Sequence, residues 1–306
     1  MLAPSGAEDK ESLPVNEAFV LRGHDGPVLG VRFNKAGTYC LSCGKDRAIK
    51  LWNPHKGNLI KTYNGHGYDV RDVVVSGDNS KFASCGGDRQ VFLWDVSTGR
   101  TIRKFRGHDG VVNSLCMGLD EETLVTGGYD QAVRVWDMRS RSYDAIQTIK
   151  LFADSVTAVA VSARADILAS SVDGTVRRFD VRMGCMDVDQ LGAPVTAMAL
   201  SHDGNCVLAS CLDGRMRLLD KASGELLAQY SGHKVETVKM DCTLTPSDAC
   251  VLSGSEDGRV CYWDLVEETM VESFQAHKSY VCSLAMHPDG SLLLTSSTDG
   301  TVKVWQ

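Results

Sequence analysis

The sequence repeats a set of four side chains of the kind that carries nucleophilic chemistry. The first copy is His24, Ser42, Asp46 and Trp52, and hydrolases combine a serine with a histidine and an aspartate in this way. Four further copies are His66, Ser84, Asp88 and Trp94; His108, Thr126, Asp130 and Trp136; His233, Ser253, Asp257 and Trp263; and His277, Thr295, Asp299 and Trp305. An enzyme needs one such site, whereas a repeated fold needs the same tie in every unit. We therefore interpret the sets as structural and expect no enzymatic activity.

The structural interpretation predicts one chain of hydrogen bonds in each copy. The indole N–H would donate to the hydroxyl group, which in turn bonds to the imidazole, and the imidazole bonds to the aspartate of a turn. Buried polar groups must be paired, because each unpaired group costs roughly 1–3 kcal/mol.

Cysteines are the other residues whose spacing suggests chemistry. Cys40 and Cys43 have the C-x-x-C spacing of zinc and redox sites, but three steps along a strand place their side chains on opposite faces. No second C-x-x-C pair completes a set of four ligands, and the eleven cysteines are an odd number. We expect free, buried thiols and neither a metal nor a cofactor.

The spacing of these residues defines a repeat of about 42 positions. Its marker is an apolar-Trp-Asp pattern or a relative of it, centred at positions 52, 94, 136, 179, 219, 263 and 305. An aspartate lies six residues earlier each time, and all five tryptophans occupy this position. Alternating apolar segments separated by turn residues predict four strands in each repeat. Seven four-stranded units predict an all-β, seven-bladed WD-repeat β-propeller.

The fourth and fifth repeats depart from the pattern. They carry Phe179 and Leu219 in place of tryptophan and have no Gly-His pair. We expect hydrophobic packing to hold these blades in the absence of the network. Two explanations stay open, which are drift in a tolerant fold and specialisation of this sector for a partner.

The two ends of the chain predict how the ring closes. The last repeat stops after its Trp strand at Gln306, and residues 18–24 read like residues 101–108 at the end of another repeat. Residues 18–22 should therefore pair into the last blade, which removes an exposed strand edge. We divide the chain into a disordered N-terminal lead, 1–16, and a propeller, 17–306.

Composition narrows the class of partner. The net charge of −7 and a pI near 5.6 disfavour direct sequence-specific binding of nucleic acid. We find neither a membrane-spanning apolar run nor a signal peptide and expect an intracellular protein. Basic residues crowd the middle of the chain, between positions 100 and 182, and such a basic sector could select one docking edge.

Loops at the aspartate turns should form one rim of the ring, and loops on a rigid scaffold often bind partners. Tyrosine and arginine are favoured at interfaces. The residues that we predict for this protein-binding rim are Lys45, Arg47, Tyr68, Asp69, Arg89, Tyr129, Gln131 and Tyr280.

Beyond the generic repeat, the chain resembles the mitogen-activated protein kinase organizer proteins, a WD-repeat family also found with spliceosomes. The resemblance covers essentially the whole propeller. Segments that carry it include GHGYDV (65–70), SVDGTVRRFDVRMG (171–184), LLDKASGELL (218–227) and EDGRVCYWDLVE (256–267). Because the strongest segments lie in the irregular blades, the resemblance favours a specialised sector there.

The resemblance implies a scaffold for kinase-cascade components, a peripheral spliceosomal subunit and a link to a prolyl hydroxylase. Such a protein would work in cytoplasm and nucleus, as a monomer within larger assemblies. An alternative is a substrate receptor of a cullin-4 ubiquitin ligase. Receptors of that type resemble residues 124–139, where Arg139 would meet the ligase adaptor, and Arg182 is its counterpart in the fourth blade.

Overall fold

The computed structural model describes residues 13–140 and 142–306, which contain 28 strands and no helix. The strands are β1 (Glu17–Arg22), β2 (Val28–Phe33), β3 (Cys40–Gly44), β4 (Ala48–Asn53), β5 (Asn58–Asn64), β6 (Val70–Val75), β7 (Lys81–Gly86), β8 (Gln90–Asp95), β9 (Thr101–Arg106), β10 (Val112–Met117), β11 (Thr123–Gly128), β12 (Val133–Asp137), β13 (Gln147–Ile149), β14 (Val156–Val161), β15 (Ile167–Ser171), β16 (Thr175–Asp180), β17 (Cys185–Gln190), β18 (Val195–Leu200), β19 (Cys206–Cys211), β20 (Arg215–Asp220), β21 (Leu226–Ser231), β22 (Cys242–Leu244), β23 (Cys250–Gly254), β24 (Arg259–Asp264), β25 (Met270–Gln275), β26 (Val281–Met286), β27 (Leu293–Ser297) and β28 (Thr301–Trp305).

These strands form seven antiparallel sheets of four, which confirms the seven-bladed propeller. Six blades use four consecutive strands each, from β2–β5 in the first blade to β22–β25 in the sixth. The seventh sheet has the order β1-β28-β27-β26, so the N-terminal strand completes the blade that the C-terminus leaves one strand short. Arg22 pairs with Thr301 and Glu17 with Trp305 in this closing ladder.

The structure extends the ordered region upstream of the predicted boundary at residue 17. Asn16 exchanges two backbone hydrogen bonds with Gln306, of 3.0 and 2.9 Å. The Tyr262 hydroxyl donates to the carbonyl of Pro14, and Leu13 and Val15 pack against the core between the sixth and seventh blades. Residues 13–16 of the predicted disordered lead therefore belong to the propeller. Residues 1–12 lie outside the described residues.

The hydrophobic core is divided into layers between neighbouring blades. One layer joins Ile49 of the first blade to Phe82 of the second, and the next joins Val91 of the second to Leu115 of the third. All five tryptophans are almost completely buried in these layers, at 1–3% exposure. This arrangement explains why one Trp per repeat is sufficient, since each indole seals one junction between blades.

The innermost strand of most blades carries a β-bulge, which directs one side chain toward the central channel. The pairing shifts between Val28 and Gly30 in the first blade, and between Val70 and Asp72 in the second. A bulge adds one residue to one strand and re-aims the side chain that follows it. Small or charged residues at these positions therefore line the channel.

Candidate protein-interaction site

The predicted networks form in the first, second, third and seventh blades. In the second blade, Trp94 Nε1 lies 2.8 Å from Ser84 Oγ, the hydroxyl lies 2.7 Å from His66 Nε2, and His66 Nδ1 lies 2.8 Å from Asp88. The same contacts join His24, Ser42, Asp46 and Trp52; His108, Thr126, Asp130 and Trp136; and His277, Thr295, Asp299 and Trp305.

The partners of each histidine fix the direction of the hydrogen bonds. The carboxylate of Asp88 only accepts, so His66 Nδ1 carries the proton and Nε2 must accept from Ser84, whose oxygen accepts from Trp94. Burial disfavours the ionised Asp88, but His66 and the backbone N–H groups of Gly67 and Gln90 together outweigh burial and lower the pKa of the carboxyl group. Ser84 is fully buried, so its hydroxyl is a structural link and is out of reach of any substrate.

The sixth blade does not form the network predicted from His233, Ser253, Asp257 and Trp263. Both ring nitrogens of His233 are buried without a partner among the described residues. Trp263 donates to the carbonyl of Ser231 instead, and Ser253 donates to that of Gly254.

A change in loop length explains the difference. The Gly-His pair precedes the tryptophan by 30 residues here, against 28 in the four complete blades, and the first strand, β22, has only three residues. The carboxylate of Glu256 accepts hydrogen bonds from the backbone N–H groups of Glu236, Thr237 and Val238, which holds the longer loop. The imidazole consequently has no carboxylate to bond to.

In the fourth and fifth blades, which have no such histidine, the turn aspartate pairs with an arginine of the third strand. Arg177 pairs with Asp173 at 3.4 Å, and Arg217 pairs with Asp213 at 2.5 Å, four residues apart in each case. The expectation that hydrophobic packing alone holds these blades was therefore incomplete. The motif Asp-x-x-x-Arg, which also pairs Asp130 with Arg134 in the third blade, was visible in the sequence but was not recognised as a contact of the turn aspartate.

The histidine loops and aspartate turns meet at one end of the ring, which we call the upper face. Tyr68 and Arg89 line a groove on the second blade, whereas Lys45, Asp69 and Tyr280 surround the mouth of the central channel. The remaining three predicted rim residues, Arg47, Tyr129 and Gln131, lie in or beside the aspartate turns and are also exposed. The structure thus places the eight residues on this face, and their role in binding stays a prediction.

Three of these rim residues have a left-handed backbone. The residue after the turn aspartate has a positive φ in every blade. It is glycine in four blades, with φ of 73–84°, and Arg47, Arg89 or Gln131 in the other three, with φ of 60–66°. A side chain in this conformation costs about 1 kcal/mol or more. Gln131 offsets part of the strain by donating to the carbonyl of Ala153, but the two arginine side chains have no partner among the described residues.

The channel contains a charged cluster that sequence analysis missed. The Arg32 guanidinium lies 3.2 Å from Asp72 and 3.1 Å from Asp241, and Ser283 also donates to Asp241. Burial disfavours ionisation of Asp241, but Arg32, Lys239 and Ser283 together outweigh burial and lower the pKa of the carboxyl group. The cluster joins blades one, two, six and seven, and no local spacing in the sequence connects these positions.

The opposite end of the ring, the lower face, carries the two arginines of the ligase hypothesis. Arg139 is 69% exposed and lies 2.6 Å from Glu122. Arg182 is exposed, and only its backbone N–H is bonded, to Asp180. Both side chains are accessible, and no observation tests whether an adaptor binds them.

Cys40 and Cys43 are buried and pack into different core layers, and burial raises the pKa of both thiols. Within residues 13–140 and 142–306, no three His, Cys, Asp or Glu side chains are grouped to hold a metal ion. The same residues include no helix with the length and apolar character needed to cross a membrane.

Comparisons with known proteins agree with this architecture. The family described as "IFT122 first beta-propeller" matches residues 70–306, and the "WD domain, G-beta repeat" family matches residues 16–53. The chain is 55% identical over 306 residues to WD repeat domain-containing protein 83 of Rattus norvegicus, covering 100% of this chain and 96% of the relative. It is 52% identical to the Homo sapiens protein with the same coverage, and 31% identical to a Dictyostelium discoideum homolog over 94% and 96% of the two chains.

Fold and repeats together define a WD-repeat propeller, a class of protein that acts as a scaffold for protein–protein interaction. Within that class, the chain belongs to the family of WD repeat domain-containing protein 83.

Proposed function

We propose that this propeller is a non-catalytic scaffold that binds partner proteins on its upper face. One observation carries the proposal: Arg47 and Arg89 are held in a left-handed turn, without a compensating contact, where four other blades have glycine. Uncompensated backbone strain is a guide to function, because selection for stability alone would replace such residues. Tyr68 and Tyr129, which are 65% and 67% exposed, add aromatic anchors to the same surface.

The partners that we propose are components of a mitogen-activated protein kinase cascade and spliceosomal proteins. The support is the family resemblance of the whole propeller and the membership in the family above. A prolyl hydroxylase is a further candidate partner on the same ground. Such a scaffold would act in the cytoplasm and the nucleus, and it would raise the effective concentration of two bound partners without performing chemistry.

The test is affinity capture with matched tyrosine variants. Tagged protein would be purified separately from nuclear and cytoplasmic extracts, and the captured proteins would be identified by mass spectrometry. Kinase-cascade or spliceosomal proteins should be captured by the wild type and depleted by Tyr68→Ser with Tyr129→Ser. The control is Tyr143→Ser, which removes an equally exposed tyrosine, 72% exposed, from a lower-face loop. Equal capture by both variants would contradict binding at the upper face.

A second candidate function, a substrate receptor of a cullin-4 ubiquitin ligase, rests on the exposure of Arg139 and Arg182 on the lower face. It predicts that Arg139→Ala with Arg182→Ala abolishes co-purification of the ligase adaptor. Recovery of the adaptor at the wild-type level would rule this function out.

A further inference from the structure

The upper face of the second blade differs from the other blades at one position in its third strand. The equivalent residue is Lys50, Arg134, Arg177, Arg217 or Lys303 in five blades and Cys261 in the sixth, but it is Phe92 in the second. In the third to fifth blades this cation pairs with the turn aspartate, as Arg134 does with Asp130 at 2.9 Å. Phe92 instead stacks on His66, with ring centroids 4.0 Å apart.

In the second blade, a cation lies on the neighbouring outer strand instead. Lys104 is the ladder partner of Phe92, and its Nζ lies 4.2 Å from the centre of the Phe92 ring. The residues that pair at this place in the other blades are uncharged, for example Thr62 with Lys50 and Thr148 with Arg134. The second blade therefore carries its positive charge at an exposed position of the outer strand, where the third to fifth blades carry theirs in an ion pair with the turn aspartate.

Lys104 lines a groove of about 620 Å³ with two further cations, Arg89 and Arg106. None of the three has a carboxylate partner among the described residues, although the chain has 39 acidic residues and only 32 Lys and Arg. The one carboxylate in the groove wall, Asp88, is already bonded to His66 and to the backbone N–H of Gly67. The groove consequently presents three unneutralised positive charges.

The spacing of the cations indicates the shape of the occupant. Lys104 and Arg106 are two residues apart on β9, where positions 102, 104 and 106 are the exposed ones, so their side chains leave the same face about 7 Å apart. An extended peptide repeats its side chains at the same interval. Carboxylates at alternate positions of an extended segment match that interval.

We propose that this groove binds an acidic segment of a partner protein, in extended form, with carboxylates at alternate residues. The proposal deepens the proposed function, because it rests on partner binding at the upper face and names the chemistry of one partner. Tyr68 flanks the groove and supplies an aromatic contact, and Arg89 reaches it from the strained turn.

The experiment measures fluorescence anisotropy of labelled decapeptides added to the full-length protein. The probes are one peptide with Glu at alternate positions, the same peptide with Gln for Glu, and a neutral peptide with one phosphoserine. We expect the Glu peptide to bind, more weakly as salt is raised, and the Gln peptide not to bind. Arg89→Gln with Lys104→Gln and Arg106→Gln should weaken binding about tenfold or more, because each partly exposed ion pair contributes roughly a factor of two to five.

Two further variants separate the groove from overall charge. The control Lys56→Gln with Arg164→Gln and Arg215→Gln removes the same number of exposed charges elsewhere and should bind the Glu peptide as the wild type does. Gly67→Leu leaves the charge unchanged and fills the groove, since a Cβ at Gly67 meets no atom within 4 Å and its φ is not left-handed. This variant should also lose the peptide.

The proposal is overturned if the Glu peptide does not bind, if it binds all variants equally, or if only the phosphoserine peptide binds. Any of these results leaves the scaffold proposal standing as long as partner capture still depends on Tyr68 and Tyr129. Conversely, peptide binding at the groove with no partner lost in the tyrosine variants would contradict the role of Tyr68 and Tyr129 in partner capture and leave the groove proposal standing.

Discussion

Three buried serines on the second strands of different blades offer a test of the hydrogen-bond networks. Ser84, Ser253 and Ser210 are all fully buried, on the second strand of blades two, six and five. Ser84 and Ser253 occupy the same position in the ladder, whereas Ser210 lies one residue later on its strand, and the three hydroxyl groups differ in how many hydrogen bonds they form. Ser84 bonds to both Trp94 and His66, Ser253 bonds to one carbonyl, and Ser210 Oγ has no partner among the described residues.

Replacement by alanine should therefore have graded effects. Ser84→Ala leaves an indole N–H and an imidazole nitrogen buried and unpaired, which costs about 2–6 kcal/mol at roughly 1–3 kcal/mol for each group. Ser253→Ala removes one hydrogen bond and costs about 1 kcal/mol. Ser210→Ala removes an unsatisfied group, so stability should stay the same or rise slightly.

Thermal unfolding followed by circular dichroism measures the three effects. The unfolding entropy of about 2.1 cal/mol/K per residue gives a chain of this length a shift of about 1.5 °C for each kcal/mol. Ser84→Ala should lower Tm by about 3–9 °C, Ser253→Ala by about 1.5 °C, and Ser210→Ala by nothing measurable. An equal fall in Tm in the three variants would contradict this prediction, because it would show that each serine contributes through packing and not through its hydrogen bonds.

Further predictions concern ring closure, the unpaired histidine and the strained turns. Deletion of residues 1–22 should remove β1, expose the edge of β28 and lower Tm strongly. Deletion of residues 1–12 should leave Tm within about 1 °C of the wild type. Equal Tm values for the two deletion variants would contradict closure of the ring by β1. Burial lowers the pKa of His233 from 6.5 to about 4. As pH falls, the imidazole therefore takes up a proton in the unfolded chain before it does so in the folded protein. The free energy of unfolding should fall by up to about 3 kcal/mol between pH 6.5 and 4. His233→Leu should make the midpoint of urea denaturation less dependent on pH across that range. An unchanged pH dependence would count against the unpaired imidazole. Arg47→Gly with Arg89→Gly should leave Tm unchanged or raise it by about 1–2 °C, because release of strain offsets the greater freedom of glycine when unfolded. A clear fall in Tm would show that these arginines stabilise the fold.

The sequence was sufficient for the features that recur at fixed spacing. A Trp and an Asp six residues apart in a repeat of about 42 residues specified seven blades, since each blade is built from local hairpins. The closing strand was also predictable, because the last repeat lacks a strand that residues 18–22 resemble. Four complete networks followed from the same spacing.

Features that depend on contacts between distant segments were not predictable in this way. The pairing of Arg32 with Asp72 and Asp241 joins three blades that are far apart in the sequence, so no local spacing predicts it. In the sixth blade the two additional residues before Trp263 were visible, but their consequence was not. The loss of the network depends on Glu256, whose carboxylate holds the loop in a conformation in which His233 does not reach Ser253 or Asp257.

The most direct test of the scaffold function is a comparison of captured proteins between upper-face and lower-face tyrosine variants. Tagged wild type, Tyr68→Ser with Tyr129→Ser, and Tyr143→Ser would be purified in parallel from nuclear and cytoplasmic extracts and compared by quantitative mass spectrometry. If the upper face binds partners, the wild type and Tyr143→Ser should capture a defined set of kinase-cascade or spliceosomal proteins. The same proteins should be depleted from the capture with Tyr68→Ser and Tyr129→Ser. Recovery of the same set by all three proteins, or of none by the wild type, would contradict binding at the upper face.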